Sequence, residues 1–308
     1  MTTPTELKPH TRIADLLSLI KPSITLLVLI TTIGGIWLAP GELPYPQLFA
    51  AIFGTLGVVI GANTLNCYLE RDTDKAMTRT RSRPLPSGRM NPAFALRFGL
   101  TISVLSIWAL WYWVNQTTTI LALIALISYV WVYTPMKRLS PQALTVGSIP
   151  GAMPPLRGWS AVTDSLDWQG IALFAILFFW QIPHFIAIAI YRQREYEEAG
   201  LKTIPSCYGM KNALWQNVFW SLLLVGSSIS LTPLGVTGTL YTVVATILGI
   251  LFLYLSAIGF IHTHKPRWAR RFFLYTLIYL TLLFTAMAID ANSTDPVNMI
   301  ESLQLPQL

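Results

Sequence analysis

The chain is predicted to be an all-α polytopic membrane bundle of nine transmembrane helices with a central cavity opening to the cytoplasmic side. Three observations carry that reading. Apolar residues make up 53% of the 308 and charged residues 11%, with a mean hydropathy of +0.54, whereas a soluble domain carries about 25% charge. Nine stretches approach the roughly 20 apolar residues needed to cross the hydrocarbon. Of the 21 lysines and arginines, only Arg157 falls on the side opposite to the rest, so the positive-inside rule puts the N-terminus in the cytoplasm and the C-terminus outside.

The predicted spans cover residues 20–38, 48–69, 92–114, 118–133, 143–159, 168–191, 214–231, 240–261 and 272–289. The first is entered through Lys21-Pro22, and the third through Asn91-Pro92, an N-cap followed by proline at the first helical position. Gly147, Pro150, Gly151, Pro154, Pro155 and Gly158 crowd the fifth. That density predicts a break, tolerated in a membrane only where protein or a cavity satisfies the freed backbone. Residues 1–19 are expected to form a cytoplasmic segment, 20–290 a single transmembrane domain and 291–308 a short outer tail. The opening residues show neither a signal-peptide cleavage site nor an Arg-rich, acid-poor transit pattern. Cys67 and Cys207 offer no disulfide framework and no zinc spacing. Asn115 and Asn292 begin glycosylation tripeptides on the outer side, a pattern that chance also produces.

The second span ends in a polar stripe. Asn63, Asn66, Glu70 and Asp74 recur at steps of three, four and four and so share one helix face. Residues eight apart on a helix are separated by about 12 Å, enough for Asn66, Glu70 and Asp74 to line a diphosphate with its metal. Mg²⁺ is usually held by one or two carboxylates together with substrate oxygens and water. A charged helix end leaving a membrane would look the same. Asp72 points about 200° away from Glu70 on a regular helix and is expected to pair with a nearby arginine.

Two further stretches lie on the same side. Tyr133-Thr-x-x-Lys137-Arg138 carries a cation pair, and Trp180-Gln-x-Pro183-His184-Phe185 leads to Arg192 and Glu195 at the cytoplasmic exit of the sixth span. Arginine can grip phosphate bidentately, and ionisable groups at membrane depth default to functional hypotheses. The plain alternatives are topology charges, a surface ion cluster and, for His184, a packed interior residue.

Asn66-x-x-x-Glu70-Arg71-Asp72-x-Asp74, Arg79-x-Arg81-x-Arg83-Pro84, Tyr133-Thr-x-x-Lys137-Arg138, Pro150-Gly-Ala-x-Pro154-Pro-x-x-Gly158-Trp159 and Trp180-Gln-x-Pro183-His184-Phe occur in this order. Together they resemble the protohaem IX farnesyltransferases (haem O synthases), a branch of the intramembrane aromatic prenyltransferases. The resemblance runs from Lys21 to Ile289. The superfamily usually has Asp where Glu70 stands, and its second Asp-rich motif is replaced here by the Asp-free stretch 192–198. The haem branch shares that second departure.

The resemblance implies transfer of the farnesyl group of farnesyl diphosphate to a vinyl group of haem B, with water added, giving haem O and diphosphate. It further implies Mg²⁺ on Asn66, Glu70 and Asp74; Lys137, Arg138 and Arg192 on the diphosphate, with Asn63, Arg71, Asp72 and Glu195 around it; Tyr133 and Trp180 beside the allyl cation; and His184 near the haem iron or propionates. The expected setting is a bacterial inner membrane. The expected partners are the lipid bilayer and a downstream haem-modifying enzyme or terminal oxidase assembly, with no nucleic acid. A prenyltransferase acting on a quinone precursor would share the first motif but is distinguished by a second Asp-rich one. A secondary transporter would show repeated halves and midplane charges, and neither is visible here.

Overall fold

The computed structural model describes residues 12–75, 80–198 and 200–291. The predicted N-terminal segment up to residue 11, Arg79, and the tail from 292 with Asn292 lie outside the described residues. In order, the elements are α1 (Arg12–Ile20), α2 (Pro22–Leu38), α3 (Tyr45–Asp74), α4 (Pro92–Trp113), α5 (Gln116–Ile127), a π-helical turn (Ser128–Tyr133) running into α6 (Thr134–Met136), and α7 (Ala143–Thr163). They continue as α8 (Trp168–Tyr191), α9 (Gln193–Glu198), α10 (Ile204–Tyr208), α11 (Met210–Ser230), α12 (Thr239–Ala257) with a 3-10 turn (Ile258–Phe260), and α13 (Lys265–Asp290). Every regular element among the described residues is helical, as predicted.

Among the described residues, six helices are long and apolar enough to cross a membrane, or seven if α1 and α2, bent by 51°, count as one span. The predicted nine is therefore not reached by length and apolarity. The 17-residue α2 is short on its own, while α7 is diluted by three prolines and Arg157, and α11 by Lys211, Asn212, Gln216 and Asn217. Both α7 and α11 are nevertheless 21-residue helices packed into the same bundle, α7 against α2, α5 and α8, and α11 against α8 and α12.

Local expectations fare differently. The span at 168–191 coincides with α8, and the Asn91 side chain caps α4 by accepting from the Ala93 amide at 2.8 Å. The first span instead begins with a break: Lys21 stands in the left-handed region at φ 49 between two helices. Conversely, α7 runs unbroken through Pro150, Pro154 and Pro155. Its neighbours pack closely along it. A Cβ on Gly158 would strike the Thr32 carbonyl oxygen of α2, and one on Gly35 of α2 would strike the Pro155 carbonyl oxygen, so the two backbones touch where only glycine fits. Gly54, Gly57 and Gly61 of α3 instead make room for side chains of α4, with a Cβ on Gly54 falling 2.7 Å from Leu110 Cδ2.

Candidate active site

The carboxyl-terminal turns of α3 carry the stripe inward. Asn66, Glu70 and Asp74 are 2%, 5% and 3% exposed, so a face that would be solvated on a helix leaving the membrane is enclosed. Three neighbours enclose it. The short helix α1 packs Leu19 with Cys67, Leu85 and Ala95, and its Asp15 pairs with Arg89 at 3.1 Å, tying α1 to the turns after residue 80. Those turns return Arg83 to Asp74, with Nη1 to Oδ2 at 2.8 Å, while the Thr80 hydroxyl donates to the Asp74 carbonyl at 3.1 Å. On the far side the π-helical turn widens the end of the α5 rod. It stacks Tyr129 on Tyr133 at 5.6 Å and sets the Thr134 hydroxyl where it accepts from Asn66 Nδ2 at 3.0 Å. Such π turns occur frequently at functional sites.

Each carboxylate of the stripe already has a cation. Glu70 Oε1 pairs with Lys137 Nζ, and Asp74 with Arg83. A third cation is left over. Lys21, at the left-handed break between α1 and α2, donates from Nζ to Asn66 Oδ1 at 2.7 Å and lies 3.4 Å from the Tyr129 hydroxyl. Neither partner is charged. Three cations against two carboxylates leave one surplus positive charge at a largely buried mouth, which favours an anionic ligand. Sequence reading counts Lys21 only as a topology charge and assigns no role to Tyr129, Thr134 or Arg83. The Lys21-Pro22 pair and the Arg83-Pro84 motif were the available signals.

Among the described residues, no group of three or more His, Cys, Asp and Glu side chains could hold a metal by itself. Glu70 and Asp74, one turn apart on a buried face, nonetheless suit Mg²⁺, which takes few protein ligands and shares the rest with substrate phosphates. The donor set therefore fits a metal that arrives with a diphosphate.

The other predicted residues separate into groups. Asn63 donates to the Ile20 carbonyl at 3.2 Å, holding α1 against α3. Asp72 is exposed and pairs with Arg71 at 3.4 Å and Lys75 at 3.1 Å, while the Arg71 guanidinium lies 4.5 Å from the Tyr68 ring, which accords with the expected local arginine pairing. Tyr133 fits against Gly147 of α7, where a Cβ would lie 2.6 Å from its ring. Arg138 is half-buried beside Lys137. Arg192 and Glu195 are exposed and pair with each other at 3.2 Å, and Tyr196 of α9 lies within electrostatic reach of Tyr133. Trp180 and His184 form a separate group between α8 and α13: Trp180 donates to the Thr276 carbonyl at 2.8 Å and stacks on His184 at 4.5 Å.

The family model described as the UbiA prenyltransferase family matches residues 28–278. The chain is 47% identical over 277 residues to a protein named protoheme IX farnesyltransferase in Myxococcus xanthus, covering 90% of this chain and 94% of that one. It is 39% identical to one of the same name in Symbiobacterium thermophilum, covering 91% and 95%. A solved structure of a digeranylgeranylglyceryl phosphate synthase superposes with a TM-score of 0.82 at 20% identity, covering 91% of this chain and 99% of that one. A UbiA homolog from Archaeoglobus fulgidus, bound to DMAPP and Mg²⁺, superposes with a TM-score of 0.63 at 16% identity, covering 89% and 99%.

Proposed function

This multi-pass membrane chain belongs to the UbiA prenyltransferase family, and we propose that it transfers the farnesyl group of farnesyl diphosphate to a vinyl group of haem B, with addition of water, releasing haem O and diphosphate. The observation that carries the diphosphate half is the surplus cation Lys21 beside two ion-paired carboxylates. The acceptor rests on the curated relatives and on the Asp-free stretch after α8, which argues against a quinone-precursor acceptor.

The chemistry follows from what the side chains do. The allylic C–O bond must ionise, and the charge leaving on the diphosphate must be met as it develops. Lys21 and Lys137 present ammonium groups to that charge, with Arg138 and Arg192 nearer the rim. When the diphosphate enters, Lys137 exchanges Glu70 for a phosphate oxygen, freeing the Glu70 carboxylate. Glu70, Asp74 and Asn66 would then hold Mg²⁺, which supplies Lewis-acid neutralisation of the diphosphate. The stacked Tyr129 and Tyr133 rings offer a π face to the allyl cation. The enclosed mouth keeps water from capturing that cation before the vinyl group does.

In this proposal the N-terminus and the α3 stripe lie on the cytoplasmic side of a bacterial inner membrane, where a water-soluble diphosphate is available, residues 20–290 act as one catalytic domain, and a downstream partner accepts the farnesylated haem. Purified protein incubated with haem B, farnesyl diphosphate and Mg²⁺ is expected to yield a haem heavier by one farnesyl group and one hydroxyl, read by mass spectrometry. Prenylation of a quinone precursor with haem B left unchanged would overturn the acceptor.

A further inference from the structure

Thr276 faces His184 Nδ1 with a hydroxyl that has a second partner. The Thr276 hydroxyl lies 2.7 Å from the Phe273 carbonyl oxygen, one turn earlier on α13, and donates to it. A hydroxyl has a single proton. The 2.7 Å contact between Thr276 Oγ1 and His184 Nδ1 and the bond to the Phe273 carbonyl are made at once only when the nitrogen donates, which is the Nδ1–H tautomer of the neutral ring. Nε2 keeps its lone pair. That nitrogen makes no hydrogen bond among the described residues.

The ring is also held in place. Trp180 stacks on it at 4.5 Å, Phe273 lies tilted at 4.9 Å and Phe185 meets it edge-on at 5.3 Å. Trp180 is itself fixed by its 2.8 Å bond to the Thr276 carbonyl. A chain of Phe273 carbonyl, Thr276 hydroxyl and His184 Nδ1–H thus orients an imidazole whose other nitrogen is an unused donor of electrons. This is the arrangement that orients metal-ligating histidines, in which a bond to the second nitrogen sets tautomer and direction. A merely packed histidine needs no free Nε2, and a hydrogen-bonding one would have used it.

No cluster of metal-ligating side chains accompanies His184 among the described residues, so the metal it would meet must come with its own ligands. We propose that His184 Nε2 is the axial ligand of the iron in the haem acceptor and that Thr276 is its positioning residue. This inference rests on the reading of haem as the acceptor. It adds how the macrocycle is held, with its iron on α8.

The test compares haem with metal-free protoporphyrin IX, which has the same periphery and no iron. The full-length protein in detergent should bind haem at least about tenfold more tightly than the metal-free ring, the scale on which metal-site interactions act, and His184→Ala should erase that preference while still binding both rings. His184→Met should fold and replace the histidine-ligated absorption and electron paramagnetic resonance signature with a different one. Thr276→Val should weaken haem binding about tenfold and leave the metal-free ring unaffected. An unchanged haem spectrum and an unchanged haem preference in both His184 variants would overturn the ligation. If wild type farnesylates haem while its spectrum ignores His184, the ligation fails and the function stands. If the spectrum depends on His184 but no haem is farnesylated, the function fails and the ligation stands.

Discussion

Glu70→Gln is the sharpest perturbation of the diphosphate half. Glutamine keeps the shape of a side chain that is 5% exposed and removes only its charge. Asp74 is less suitable, because its bond to Arg83 also anchors the turns after residue 80. Two costs are expected and they are separable. Lys137 loses its anionic partner, but its side chain is 28% exposed, so water screens the loss and stability should fall by well under the roughly 3–5 kcal/mol of a fully buried broken pair. Catalysis loses one of two carboxylates that would hold Mg²⁺ against the leaving group. Removing one preorganised electrostatic contact typically costs about 2.7–4 kcal/mol of transition-state stabilisation, or roughly 10²–10³ in turnover. Initial rates across a Mg²⁺ titration, beside thermal unfolding of the same preparation, separate the two. Turnover within a few-fold of wild type and an unchanged Mg²⁺ dependence would remove Glu70 from the site.

Other outcomes follow from single contacts. Exposed Cys207 and buried Cys67 are the two cysteines of the chain, so an impermeant thiol reagent should label Cys207 of the unmodified protein in inside-out vesicles and not from the outer face; labelling from outside would reverse the topology. Gly158→Ala places a carbon against the Thr32 carbonyl oxygen and should destabilise the fold by about 1–3 kcal/mol of overpacking, read as a lower unfolding midpoint. Gly226→Ala, where nothing lies within 4 Å of the added carbon, is the control, and equal effects would refute the close α2 to α7 contact. On the side opposite the stripe, bonds from Ser165 at 2.6 Å and Trp159 at 3.1 Å hold the Asp167 carboxyl below its ordinary pKa. A depressed folded pKa stabilises above the unfolded value, and that contribution is lost as pH falls through the folded one. Asp167→Asn should therefore lower stability at neutral pH and flatten its acid dependence; an unchanged pH profile would show those bonds to be of no consequence.

The membrane class, the all-helical architecture and the α3 stripe were legible in the sequence because each depends on periodicity alone: apolar runs of membrane length, and polar residues three and four apart on one helix. The span at 168–191 and the Asn91 cap are local in the same sense. Proline misled in both directions. Pro22 coincides with a real break, because Lys21 takes a left-handed turn there, whereas Pro150, Pro154 and Pro155 lie in a continuous helix because α2 and α8 pack along it. What the stripe faces was decided by tertiary structure. Lys21 reaches Asn66 across 45 residues of chain, Asn66 reaches Thr134 across 68, and His184 finds Thr276 across 92. No local pattern announces such pairs, since a lysine opening a span serves topology equally well and a histidine on an apolar helix serves packing equally well. The surplus charge at the mouth and the polar partner of His184 arise only when α2, the π-helical turn and α13 bring one donor or acceptor each to a partner already half satisfied.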